Sequence, residues 1–143
     1  MFKKLYILLI ISILGLPNAL IHNIHMHNLY AIFAKFLGIC KLFGGNLVNE
    51  RGNKPRPGVV PRFSDLEVIA LSLTAESVGI DSESYFYSKL SEYRTEIPNM
   101  ISRRQFNDRR KQTAELCNLI RDKIANHIDG GEAFFCVDSC CAL

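Results

Sequence analysis

Between Ser102 and Lys111 the chain reads Ser-Arg-Arg-Gln-Phe-Asn-Asp-Arg-Arg-Lys, a run with five cations and the single acid Asp108. Arginine and asparagine are the side chains that bond bidentately to guanine and adenine edges, while lysine and backbone amides hold phosphates. Set on a helix that advances about 100° per residue from Phe106, Arg103, Asn107 and Arg110 fall roughly 40 to 100° round, and Arg104 and Lys111 roughly 140 to 160°. These five therefore share one sector beside the apolar stripe, as a recognition helix needs, and Arg109 falls on the other side of that stripe. The competing reading is a solvated surface helix whose arginines pair with Glu92, Glu96 or Asp108.

Further cations, Arg51, Lys54 and Arg56, lie in the Pro- and Gly-rich stretch 49–61. That composition builds no core and reads as a basic linker, either solvated or tracking phosphates. A carboxylate of a different kind is Asp138, directly after the apolar run Ala133-Phe134-Phe135-Cys136-Val137. The run is consistent with a buried strand, and an acid at a strand end is well placed for a metal or a substrate. A plain strand-terminating polar residue is the simpler alternative. His22, His25 and His27 lack the cysteine or acidic partners of a closed metal site and read as polar residues of a junction. The five cysteines, Cys40, Cys117, Cys136, Cys140 and Cys141, show no CxxC pair and read as reduced thiols.

The elements that must carry these residues are mostly helical. Leu29 to Phe43 has Leu29, Ile32, Phe33, Phe36, Leu37, Cys40 and Phe43 at helical spacing, stopped by Gly44-Gly45. Ser64-Asp65-Leu66-Glu67 is a capping box, which predicts a helix from Ser64 through Leu66, Ile69, Ala70 and Leu73 to Gly79. Asp81 or Ser82 caps the next helix, with Phe86, Leu90 and Tyr93 on one face, before Pro98 breaks the chain. A second capping box, Ser102 to Gln105, opens one long helix with Phe106, Thr113, Cys117, Ile120, Ile124 and Ile128 in its stripe, ended by Gly130-Gly131.

Length and composition frame these elements. The chain has 143 residues, 48% hydrophobic and 22% charged, which suits one packed domain and argues against disorder or a disulfide scaffold. Its charge is uneven, +2 over residues 1 to 25, +5 over 26 to 63 and −4 over 64 to 143, with no acid before Glu50. Lys3, Lys4, the apolar run Leu5 to Leu16 and Ala19 have the layout of a secretory signal, although Pro17 suits a cleavage site poorly. Residues 1–21 thus read as a signal or anchor, as a buried helix, or as upstream sequence ahead of a start at Met26.

From Met26 to Ser139 the sequence resembles bacterial insertion-sequence transposases of the DDE type, and among them the insertion-sequence 982 family. The resemblance is carried by Met26-His27-Asn28-Leu29-Tyr30, by residues 44–52 (GGNLVNERG), by 63–71 (FSDLEVIAL), by 79–84 (GIDSES), by 102–110 (SRRQFNDRR) and by Val137-Asp138-Ser139. It implies a mainly α chain: an N-terminal helical bundle with a helix-turn-helix-like element, then the first strand of a truncated RNase H-like α/β catalytic domain. The corresponding divisions are an apolar extension at 1–25, a helix plus basic linker at 26–62, a helical DNA-binding domain at 63–131 and the start of the catalytic domain at 132–143.

The resemblance further implies that Asp138 is the first catalytic, metal-binding carboxylate, inactive alone. The family's strand transfer uses Mg2+ held by several carboxylates, and this chain is expected to bind none. DNA at the terminal repeats of an insertion sequence is the implied partner, with self-association or pairing with intact transposase beside it. The implied function is that of a transposase fragment retaining DNA binding in the cytoplasm, its contacts made by Arg103, Arg104, Asn107, Arg110, Lys111, Arg51, Lys54 and Arg56. A small membrane-anchored or exported protein, and a DNA-binding fragment that inhibits intact transposase, are the alternatives.

Overall fold

Leu29, Phe33, Phe36 and Cys40 recur at steps of three and four, and in the computed structural model of the chain they form the buried stripe of a helix, α1, spanning Leu29–Gly44. Lys35 and Lys41 stand outside that stripe and are exposed. The structure describes residues 29–128. The expected strand at 133–137, Asp138, the three histidines and the apolar extension lie outside the described residues. A 3-10 turn, Gly45–Leu47, ends α1.

The second helix, α2, spans Asp65–Val78 and begins with the capping box expected at Ser64: the Glu67 amide donates to Ser64 Oγ at 3.2 Å and the Ser64 amide to Glu67 Oε2 at 2.6 Å. Its C-cap is Gly79 in the left-handed conformation (φ 68°), where a side chain would clash with its own backbone. Leu66, Val68, Ile69, Ala70, Leu71, Leu73 and Thr74 are all buried, so α2 is apolar on nearly every side and runs through the middle of the molecule.

Ser82 caps α3, Glu83–Leu90, by accepting from the Tyr85 amide. Phe86 and Leu90 face inward as the spacing requires, and Tyr93 follows half-buried in a 3-10 turn, Ser91–Tyr93. The second capping box, Ser102 with Gln105, opens α4, Arg103–Gln112.

Here the structure corrects the expectation of one long helix. Thr113 ends α4 with φ −96° and ψ 3°, and a separate helix, α5, spans Ala114–Ile128. The threonine hydroxyl donates back to the Arg109 carbonyl at 2.9 Å, the kind of side-chain bond that competes with the helical ladder and bends it. The inward stripe continues across the break: Phe106, Thr113, Ile120 and Ile124 are buried as expected, while Leu116 is buried where Cys117 was expected and Cys117 is only half-buried.

α1 packs on α2 and α5, α2 on α4, and α4 on α3 and α5. One hydrophobic cluster runs from Leu29 to Ile124 through all five helices. At the end of α1, a Cβ built on Gly44 would lie 2.7 Å from Ile120 Cδ1 and 3.2 Å from Leu66 Cδ2, so this glycine lets α1, α2 and α5 meet. The chain is mainly helical, with no strand among the described residues. No described helix is long and apolar enough to cross a membrane.

Candidate nucleic-acid interface

The predicted DNA-contacting residues of α4 fall into two rows. Arg103, Asn107 and Arg110, at steps of four and three, face the start of α3. The Arg103 guanidinium donates to Ser84 Oγ, Asn107 Nδ2 donates to Glu83 Oε2 at 2.6 Å, and Arg110 Nη1 lies 3.7 Å from Glu83 Oε1. Neither Glu92, Glu96 nor Asp108 takes these side chains. Glu83 does, and the amide of Asn107 is thereby occupied on its donor side.

The second row, Arg104 and Lys111, is exposed and turned away from α3, and neither pairs with an acid among the described residues. Arg103 and Arg110 flank this row, both exposed, and among the described residues Arg103 bonds a neutral hydroxyl alone. The single sector expected from the helical wheel is thus an outward pair of free cations beside an inward row that braces α3 on α4. α3 and α4 are connected by residues 91–102, longer than the three- or four-residue turn of a conventional helix-turn-helix.

The cations of the stretch 49–61 have a different fate. Lys54 Nζ reaches Glu115 on α5 at 3.3 Å, an exposed pair, and Arg51 is exposed. Arg56 binds Asp65 through Nη2, at 2.6 Å from Oδ1 and 2.5 Å from Oδ2. The stretch expected to be a basic linker, solvated or tracking phosphates, is an ordered loop. Asn49 Oδ1 accepts from the amides of Arg51 and Asn53, Asn53 Nδ2 donates to the Pro61 carbonyl, and the Leu66 amide donates to the Gly52 carbonyl.

Asp65, which sequence reasoning passed over as a mere part of a capping box, organises this loop. Its side chain is 1% exposed. Besides Arg56, it accepts from Arg109 Nη2 at 2.7 Å and from the Lys54 amide at 2.9 Å, while its own amide donates to Asn53 Oδ1. Burial raises the carboxyl's pKa, but the bonds from Arg109, the Lys54 amide and Arg56 outweigh it and hold the group below its ordinary value. Both oxygens are committed, so Asp65 has no lone pair to spare for a metal or substrate. Its role is to anchor. Arg109, placed by the helical wheel on the far side of the stripe, is its distant partner and also donates to the Phe63 carbonyl. That off-stripe position was the one signal in the sequence.

Among the described residues no group of three or more His, Cys, Asp or Glu side chains could hold a metal ion. No protein-family model, no curated protein and no solved structure matches this chain.

Proposed function

We propose that this chain is the DNA-binding part of a DDE-type transposase of the insertion-sequence 982 kind, with α4 as its recognition element. The observation that carries this reading is the outward row of α4. Arg104 and Lys111 are exposed and pair with no acid among the described residues, and Arg103 and Arg110 flank them, with Glu83 taking Arg110 and Asp108 the one acid of α4 itself. Uncompensated cations on one short helix cost self-repulsion in the free protein and are useful against a polyanion, where each neutralised phosphate releases condensed counterions. α4 then serves as the second helix of a helix-turn-helix-like unit with an elongated connection, braced from behind by Glu83 and Ser84. Arg51 assists from the ordered loop, whereas Arg56 and Arg109 are committed to Asp65 and serve the fold. The Asp138 carboxylate belongs to strand-transfer chemistry with Mg2+, and DNA binding does not depend on it.

Fluorescence anisotropy with the full chain tests this. Binding to duplex DNA carrying the inverted repeats that flank its coding region should weaken steeply with salt. Arg104→Ala with Lys111→Ala should lower the slope of log K against log salt by about 2, near one for each lost phosphate contact. Asp138→Asn should leave binding unchanged. Absence of binding at low salt, or a slope untouched by the double substitution, would remove the proposal.

A further inference from the structure

The break at Thr113 opens a cleft of about 300 Å3 between α2, the end of α4 and the first turns of α5. Arg110 and Lys111 line it from α4, Asn118 and Arg121 from α5, and Ser72 and Glu76 from α2. Arg110 also faces Glu83 and Arg121 faces Glu76, so the positive charge left over at the cleft is that of Lys111. Arg121 is fixed in the wall by Glu76, with Nη2 at 2.9 and 3.1 Å from the carboxylate oxygens.

Ser72 is the second, independent feature. It is 6% exposed, and among the described residues its hydroxyl has no hydrogen-bond partner. Buried hydroxyls are ordinarily satisfied, and the other two on α2 are: Thr74 donates to the Ala70 carbonyl at 2.7 Å and Ser77 to the Thr74 carbonyl at 2.8 Å. Ser72 alone keeps its donor unused, at a cleft walled by cations. At Thr113 the negative C-terminal end of α4 meets the positive N-terminal end of α5 and the two offset, so neither helix end accounts for the site. Side-chain charge and the spare hydroxyl do.

We infer that this cleft is a phosphate seat, in which Lys111, Arg110 and Arg121 supply charge and Ser72 and Asn118 supply donors. The phosphate comes either from a nucleic-acid backbone or from free phosphate. A backbone source rests on the DNA-binding reading above, while affinity for free phosphate does not.

Calorimetric titration of the full chain with inorganic phosphate at low chloride is the first measurement. Saturable binding is expected, weakened about tenfold by Ser72→Ala and by Lys111→Gln, the loss of one charge-assisted bond each, and unaffected by Lys35→Gln on α1. Ser72→Ala removes only an unpartnered hydroxyl, so the fold is retained. No saturable binding, or binding indifferent to Ser72→Ala and Lys111→Gln, overturns the inference. Duplex DNA is the second probe. If it displaces phosphate and Ser72→Ala weakens it as well, the seat takes a backbone phosphate. If Ser72→Ala weakens only inorganic phosphate, the seat takes the free ion. Phosphate binding without duplex binding would sink the DNA-binding reading and leave the seat standing.

Discussion

Asp65 concentrates the electrostatics of the molecule in one buried carboxylate with two guanidinium partners. Removing one member of such a set is costly because the remaining charges stay buried without compensation. Asp65→Asn should therefore destabilise the chain by about 3 to 5 kcal/mol, read from urea unfolding. Arg109→Met should cost more than Arg56→Met, since the Arg109 side chain is 12% exposed and that of Arg56 33%. Acid should act through the same group. Its folded pKa lies below its unfolded one, so its contribution is complete above the ordinary carboxylate value and is lost as pH falls through the depressed folded value. The urea midpoint should drop on that acid limb in the native chain, and Asp65→Asn should flatten the limb. Cys40 behaves oppositely: burial, with a smaller contribution from Cys117, pushes its thiol up to about 12, so at neutral pH it stays protonated. A thiol reagent should reach it only on unfolding.

The helices are held at their ends by side chains the sequence announces. Ser64→Ala and Ser102→Ala should each cost about 1 kcal/mol in thermal or urea unfolding, with the Glu67 and Gln105 amides losing their side-chain acceptors. The N-caps at Ser64 and Ser102 and the Gly79 stop were legible because they depend on residues three or four apart, and the third cap was narrowed to Asp81 or Ser82. The break at Thr113 was not. Threonine is tolerated inside helices, and the apolar spacing from Phe106 to Ile124 runs on across it, so nothing local distinguishes one bent helix from two. The ordered loop was illegible for a different reason. Its order comes from Asp65 and Asn53, whose bonds span eight to twelve residues and whose remaining partner, Arg109, is 44 residues away in sequence. Composition reports proline, glycine and charge, and says nothing of a buried acid waiting at the next helix. The candidate interface was half legible: the wheel put all five side chains in one sector, and only packing shows that α3 takes Arg103, Asn107 and Arg110 and leaves Arg104 and Lys111 outward.

At the scale of the molecule, the three-helix junction at Gly44 is the tightest requirement. Its backbone angles are ordinary (φ −105°), so the need is for space alone. Gly44→Ala should destabilise the fold by about 1 to 3 kcal/mol through overpacking. Adding Ile120→Val, which trims the nearest obstructing side chain, should recover part of the loss, a coupling visible in a double-mutant cycle. The same junction joins the early and late parts of the described chain, and Phe43 stacks edge-on with His127 at 5.4 Å between centroids. That arrangement has a meaning for synthesis. A ribosome adds about 5 to 20 residues per second, so the interval between making Gly44 and making Ile124 is roughly 4 to 16 s. Helices form within about a microsecond, so α1 can form and dock on α2 seconds before its α5 partner is made. Throughout that time the part of its apolar surface reserved for α5 is open to whatever waits at the tunnel exit.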